Sequence, residues 1–242
     1  MATLFISDLH LDASRTRITD LFLDFMKQEP CQADALYILG DFFEVWLGDD
    51  DPDPHHAQVM DAVRQLSDSG VPVYFMRGNR DFLIGADFAR RTGVQLLPDP
   101  TVVELVGVPT LLMHGDTLCT DDVDYQAFRK MVRDPARQKA FLATSLEERR
   151  AFVTHARVAS GLSTAQKSEI IMDVNQQAVE TVMREHVVNR LIHGHTHRPA
   201  VHKFQSDGKD KTRIVLGDWY HQGSILRVSG AEPVLASLPL SQ

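Results

Sequence analysis

Leu36-Tyr37-Ile38-Leu39-Gly40-Asp41 is an apolar run that ends on a glycine and a carboxylate. A short, unbroken apolar stretch bounded by a turn former reads as a strand buried on both faces. The same pattern recurs four times. Leu4-Phe5-Ile6 leads to Asp8-Leu9-His10, and Val73-Tyr74-Phe75-Met76 leads to Gly78-Asn79-Arg80-Asp81. Leu111-Leu112-Met113 leads to His114-Gly115-Asp116, and Leu191-Ile192 leads to His193-Gly194-His195-Thr196-His197. Ligands in open α/β sheets sit beyond the strand ends. Five strands that each finish on carboxylate, imidazole or amide groups therefore describe one edge, and on it a site for two metal ions.

The rest of the chain fits an α/β fold. Strands are expected at 3–7, 35–39, 72–76, 94–97, 101–106 and 109–114, with helices at 17–28 and 54–68. Further strands are expected at 188–193, 200–205, 212–216 and 223–229, and Ser206-Asp207-Gly208 is a hairpin signal. Between 121 and 184 the period changes. Phe128, Met131, Val132, Phe141, Leu142, Phe152, Val153, Ile170, Ile171, Val174 and Val179 recur at helical spacing, with Pro135 and Gly161 as punctuation. This reads as a helical insertion at about 121–168, then a longer helix that returns to the main fold. The 242 residues are expected to form one domain carrying that insertion as a lid.

Charge narrows the choice of partners. The net charge is −8, which opposes general nucleic-acid binding. Residues 121–168 nevertheless hold nine Lys or Arg against six acids, which points to an anionic partner or to a solvated helix surface of mixed charge. Cys31 and Cys119 match no disulfide or zinc framework. The opening Met-Ala-Thr-Leu-Phe-Ile-Ser-Asp has no basic segment and runs straight into a ligand-bearing stretch, so no signal peptide is expected. No apolar run approaches the roughly 18 residues that span a bilayer. A cytoplasmic chain is expected, with a monomer as the default state.

The candidate metal ligands are Asp8, His10, Asp41, Asn79, His114, His195 and His197. In extended chain, residues two apart share a side, so Asp8 and His10 can face one ion. The Asp41 carboxylate has the acceptor capacity to bridge two cations. Mixed nitrogen and oxygen donors suit Mn²⁺, Fe²⁺, Co²⁺ or Zn²⁺. Two such ions can polarise a phosphoryl oxygen and activate water, so hydrolysis of a phosphate ester or anhydride is expected. His55, His56, His155, His186, His202 and His221 have no matching partners and read as structural or exposed. The run Asp49-Asp50-Asp51-Pro52-Asp53 reads as a solvated loop rather than a cation site, and Glu44, Trp46 and Trp219 can either face the site or pack.

The order D-x-H, G-D, G-N-x-D, H-G-D, G-H-T-H resembles the calcineurin-like metallophosphoesterases. Within them, Gly40-Asp41-Phe42-Phe43-Glu44-Val45-Trp46, Gly78-Asn79-Arg80-Asp81 and Leu216-Gly217-Asp218-Trp219 resemble the branch that acts on UDP-2,3-diacylglucosamine in lipid A synthesis. The resemblance implies two packed mixed sheets flanked by helices, with two Mn²⁺ ions at the strand ends. By analogy Asp8, His10 and His197 hold one ion, Asn79, His114 and His195 hold the other, and Asp41 bridges them. It implies metal-activated attack of water on the α-phosphorus, giving UMP and 2,3-diacylglucosamine 1-phosphate, with catalytic roles for Asp41, Arg80 and His195.

Most of the family has histidine where this chain has Arg80, and the lipid A branch has arginine. The leaving group is a phosphate monoester, so it needs a general acid less than an alkoxide does. The resemblance also implies substrate contacts from Asn79, Arg80, Asp122, Ser160, Thr164, Lys167 and His195, and an acyl chamber under the insertion. It implies peripheral attachment to the cytoplasmic face of the inner membrane. Competing readings are another metallophosphoesterase, such as a soluble nucleotide pyrophosphatase, and a scaffold that kept the fold without catalysis. All seven candidate ligands being present opposes the scaffold.

Overall fold

The computed structural model describes residues 1–166, 173–230 and 232–240, with side chains in the helix ending at Gln166 described up to Ala156. In chain order the elements begin β1 (Thr3–Ile6), α1 (Thr16–Met26), β2 (Ala35–Leu39), α2 (Pro54–Asp68), β3 (Val73–Met76), α3 (Ala86–Thr92) and β4 (Gln95–Leu97). Then come β5 (Thr101–Leu105), β6 (Val108–Met113), α4 (Val123–Val132), α5 (Pro135–Leu142), α6 (Leu146–Gln166) and α7 (Gln176–Glu185). The chain closes with β7 (Arg190–His193), β8 (Ala200–Ser206), β9 (Lys209–Val215), β10 (Gly223–Val228) and β11 (Val234–Leu238).

Two mixed sheets result, in the orders β11-β10-β1-β2-β3-β4 and β5-β6-β7-β9-β8. β1, β2, β3 and β4 run parallel in the first, and β6, β7 and β9 run parallel in the second. Alternation along the strands builds the layers. Phe5, Tyr37, Leu39 and Met76 meet Leu112, Ile192 and Ile214 between the sheets. The intervening Leu4, Ile6, Leu36, Ile38, Val73 and Phe75 face outward and are covered by Phe22, Phe25, Val59, Val63 and Phe88 of α1, α2 and α3. On the other flank Leu111, Met113 and Leu191 are covered by Val179 and Met183 of α7. Strands buried on both faces explain the continuous apolar runs. The α/β sandwich expected from the sequence is the fold observed.

Several details differ from the expectation. The helix α3 and the edge strand β11 carry no clear periodic signal. The long helix is α6, of 21 residues, and the returning helix α7 has only 10. Gly161 lies within α6 rather than ending it, because one interior glycine costs only about 1 kcal/mol. Asp134 and Pro135 do open a helix, with Asp134 accepting the Arg137 amide. The hairpin turn forms as expected, with positive φ at Asp207 (53°) and Gly208 (69°) and Ser206 paired with Lys209.

The acidic run is not a solvated loop. Asp49 accepts the amides of Gly85, Asp87 and Phe88 and so seats α3. Asp50 takes a two-pronged bond from Arg149 at 2.6 and 2.7 Å, Asp51 pairs with Arg150 at 3.3 Å, and Asp53 caps α2 through the His55 amide. Arg149 is 3% exposed and also donates to the carbonyls of Leu47 and Thr144, which fastens α6 to the loop after β2. Arg149→Met should therefore lower the unfolding free energy by about 2 kcal/mol, since three acceptors lose their donor. Asp50→Asn should lower it by less than about 1 kcal/mol, because that carboxylate is largely exposed. Urea denaturation of both variants measures the difference, and equal losses would contradict this anchoring role.

Candidate metal centre

All five ligand-bearing segments follow parallel strands, β1, β2 and β3 in one sheet and β6 and β7 in the other, so the two sheets deliver their groups to one edge. Asp8, His10 and His197 bring one ligand atom each within 4.8 Å of one another. Asp41, His114 and His195 form a second such group. Asn79 joins the second group, its Oδ1 lying 2.9 Å from both His114 Nε2 and His195 Nδ1. Asp41 stands between the groups, with Oδ2 3.7 Å from His10 Nε2 and Oδ1 3.7 Å from His114 Nε2.

The backbone is held in an unusual state to achieve this. Asp8, His10, Asp41, His195 and His197 all have left-handed φ values, between 48° and 70°. Each such non-glycine residue costs about 1–2 kcal/mol, and such strain collects at functional sites. Cross-bonds between the loops hold the arrangement. The Asp8 amide donates to Gly40 O, the His10 amide to Asp41 O, and the Gly194 amide to His114 O. The His195 amide donates to Asp8 Oδ2 at 2.9 Å and the Arg80 amide to Asp41 Oδ1 at 2.7 Å.

These residues fit a pair of metal ions. His114 Nδ1 donates to Leu39 O at 2.9 Å, so in a neutral ring Nε2 meets Asn79 Oδ1 lone pair to lone pair. His10 Nε2 faces His197 Nε2 at 3.3 Å, and the buried Asp8 Oδ1 receives no hydrogen bond. The facing acceptors His114 Nε2 and Asn79 Oδ1 call for a cation between them. Without a metal, protons take part of that place. Burial opposes charge on His114, yet the carboxylates of Asp41, Asp8 and Asp116 lift its pKa to about 9. Burial likewise opposes charge on Asp8, but His197, His114 and His10 hold it below the usual carboxylate range. Burial and the neighbouring His114 push His195 down to about 4.

A second ring of groups orients these donors. Glu44 Oε2 lies 2.8 Å from His10 Nδ1 and Oε1 lies 3.8 Å from Arg80 Nη1, so Glu44 faces the site. Trp219 is buried against Phe22 and Phe25, with its indole N–H on Ser224 O. Trp46 packs on Phe43 and Phe88 while its edge reaches the cavity described below. Asp81 accepts the amides of Phe42 and Gly78, both at 2.7 Å, and burial together with Asp41 pushes it up to about 6. Asp116 is fully buried and takes the Tyr125 hydroxyl at 2.9 Å and Arg129 Nε at 2.6 Å, which ties α4 to the loop after β6. Nothing local in the sequence marks this role of Asp116, because its partner lies thirteen residues away. Of the remaining histidines, His56 is buried against Phe43 and Trp46, and His55 meets Thr19.

Beside the metal-facing groups lies a cavity of about 640 Å³ between the main fold and the insertion. Glu44, Asn79 and Arg80 form its inner end. Phe82, Leu83, Phe128, Met131, Phe141 and Phe152 supply apolar walls, and Arg129, Arg133 and Arg137 supply positive charge. Asp122 lines it and caps α4 through the Tyr125 amide. Ser160 and Thr164 fall on α6 where side chains are not described, and Lys167 lies outside the described residues.

Residues 1–199 match the calcineurin-like phosphoesterase family. The chain belongs to that family. Its relatives are much closer than the family level. A Stenotrophomonas maltophilia protein named UDP-2,3-diacylglucosamine hydrolase is 56% identical over 235 residues, covering 94% of this chain and 95% of that protein. A protein of the same name from Xanthomonas campestris pv. campestris is 52% identical, covering 99% of this chain and all of the relative. Among solved structures, an archaeal phosphodiesterase aligns over 98% of this chain with 13% identity and a TM-score of 0.49.

Gly194 offers a direct test of the close packing. A Cβ there would overlap Ser7 Oγ and Asp8 Oδ2. Gly194→Ala should push the loop after β7 away from Asp8, destabilise the fold by about 1–3 kcal/mol and remove most hydrolytic activity. Thermal melting and turnover measured together check this, and unchanged activity would mean that the loop moves freely.

Proposed function

We propose that this protein hydrolyses the pyrophosphate bond of UDP-2,3-diacylglucosamine, giving UMP and 2,3-diacylglucosamine 1-phosphate for lipid A synthesis. The observation that carries the reading is the continuity of the metal-facing groups with an apolar cavity ringed by arginines. A nucleotide sugar alone needs no such apolar chamber. The names of relatives 52–56% identical across nearly the whole chain support the same substrate.

Asp8, His10 and His197 would hold one divalent ion, Asn79, His114 and His195 a second, and Asp41 both. Manganese is the ion proposed, as the mixed imidazole, carboxylate and amide donors suit it. When bound, the ions supply charge stabilisation at phosphoryl oxygens and acidify water as the nucleophile. The chain's own groups do the positioning. Arg80 lines the cavity with its backbone amide on Asp41 and its Nη1 3.8 Å from Glu44 Oε1, a contact that aims the guanidinium along the cavity wall, where it would grip phosphate oxygens. Arg129 of α4, Arg133 just after it and Arg137 of α5 face the same space and favour the substrate's negative charge. Phe128, Met131, Phe141 and Phe152 take the acyl chains, each buried CH₂ contributing about 0.8 kcal/mol. Asp122, Ser160, Thr164 and Lys167 are proposed to contact the sugar and its phosphate. The 121–168 segment is thus a lid within one domain.

The same segment supports peripheral contact with the cytoplasmic face of the inner membrane. Phe128 is 41% exposed beside Arg129 and Lys130, and Phe152 is 49% exposed two residues after Arg150. Among the described residues no helix is long and apolar enough to cross a membrane.

Hydrolysis of UDP-2,3-diacylglucosamine beside unacylated UDP-N-acetylglucosamine, with Mn²⁺ and with EDTA, tests the proposal. UMP should appear only from the acylated substrate, cease with EDTA and return with Mn²⁺. Equal cleavage of both would keep the metal centre and remove the acyl chamber. Arg80→His should lower kcat/KM on the lipid substrate by about a hundredfold. Full turnover by that variant would overturn the phosphate-gripping role.

A further inference from the structure

His193 stands directly behind the two ligand-bearing loops of the second sheet and belongs to neither group of metal-facing side chains. It is fully buried at the end of β7. Its Nδ1 lies 2.8 Å from the Gly194 carbonyl oxygen. A carbonyl only accepts, so Nδ1 carries the ring's hydrogen. Its Nε2 lies 3.3 Å from Arg213 Nη1 on the neighbouring strand β9, and a guanidinium only donates. The two partners leave the ring a single tautomer and a single orientation.

The ring touches the other loop too. A Cβ on Gly115 would lie 2.8 Å from His193 Nδ1 and 3.0 Å from Gly194 O, so the imidazole is wedged against the backbone after His114. The peptide unit joining Gly194 to His195 is therefore gripped at both ends. Its carbonyl accepts from His193 Nδ1, the tie to the end of β7, as well as from the Thr196 amide at 2.9 Å within the loop, and its N–H is held by Asp8 Oδ2 at 2.9 Å. A rotation of that unit would carry His195 away from Asn79, with His197 two residues further on. Both histidines already sit in left-handed backbone, at φ 70° and 56°, where an unbraced loop would relax.

Building on the two-metal reading above, we propose that His193, steadied by Arg213, is a positioning residue. It locks the Gly194–His195 peptide unit and so sets where His195 and His197 present their ring nitrogens. It touches neither metal nor substrate. Groups that orient metal ligands in this way typically change metal affinity 10–100-fold when removed.

The test is Mn²⁺ binding to the full chain, read by the EPR signal of unbound Mn²⁺, alongside thermal melting of the metal-free proteins. His193→Phe fills the space but loses both hydrogen bonds, and should weaken Mn²⁺ binding by about 10-fold or more. His193→Asn keeps an amide N–H where Nδ1 stands, and should recover a large part of that loss without reaching Arg213. Arg213→Met should give a smaller loss than His193→Phe. A purely structural role would lower the melting temperature and leave affinity in the folded fraction alone. Folded His193→Phe or Arg213→Met binding Mn²⁺ within about twofold of the parent would overturn the proposal, as would His193→Asn behaving like His193→Phe. If His193→Phe does not fold, Arg213→Met decides. A parent that binds no Mn²⁺ would instead bring down the two-metal reading itself.

Discussion

Everything in this molecule answers to one electrostatic constraint: electron-pair donors from two separate sheets are forced to face one another at a buried edge. Asp8, His10 and His197 on one side and Asn79, His114 and His195 on the other turn their lone pairs inward, with Asp41 between them. Brought together without a cation, such groups repel or take up protons; burial opposes charge on His114, while Asp41, Asp8 and Asp116 draw a proton toward it. The parallel strands make the convergence possible, because their ends point the same way in each sheet. Left-handed backbone at five of the seven residues makes it tight enough to matter.

That arrangement needs support from outside the site, and the chain supplies it from both flanks. Asp116 accepts from the Tyr125 hydroxyl and Arg129 Nε, so the first insertion helix is fixed relative to the centre. Arg133 reaches back to the Gly78 carbonyl at 2.8 Å, while Arg149 and Asp50 fasten the far end of the insertion. The cavity between is therefore bounded by elements bonded to the ligand loops themselves. A substrate filling it would be held in register with the metal-facing groups, so binding energy gained in the cavity could serve chemistry at phosphorus.

How much of this was legible in the sequence follows from the range of each interaction. The ligand residues announce themselves because each sits within a few positions of an apolar strand, and strand-then-turn is a local pattern. The boundaries of β2 and α2 are as expected for the same reason, the latter marked by Asp53 and Pro54. The supporting contacts are invisible in one dimension. Arg149 and Asp50 are 99 residues apart, and Arg213 and His193 are 20 apart on different strands. Helix α3 is seven residues long, and its start is fixed by Asp49 from 38 residues away rather than by its own composition. Strand β11 is an edge strand with a half-exposed pattern, so alternation there is too weak to read. The acidic run looked like solvent-facing charge because its arginine partners lie in the insertion.

The most direct test of the account is hydrolysis of UDP-2,3-diacylglucosamine in ¹⁸O-labelled water, with both products weighed by mass spectrometry. Water delivered from the metal-facing groups to the α-phosphorus places the label in UMP and leaves 2,3-diacylglucosamine 1-phosphate unlabelled. Label in the sugar phosphate would mean attack on the other phosphorus, and would contradict hydrolysis at the α-phosphorus.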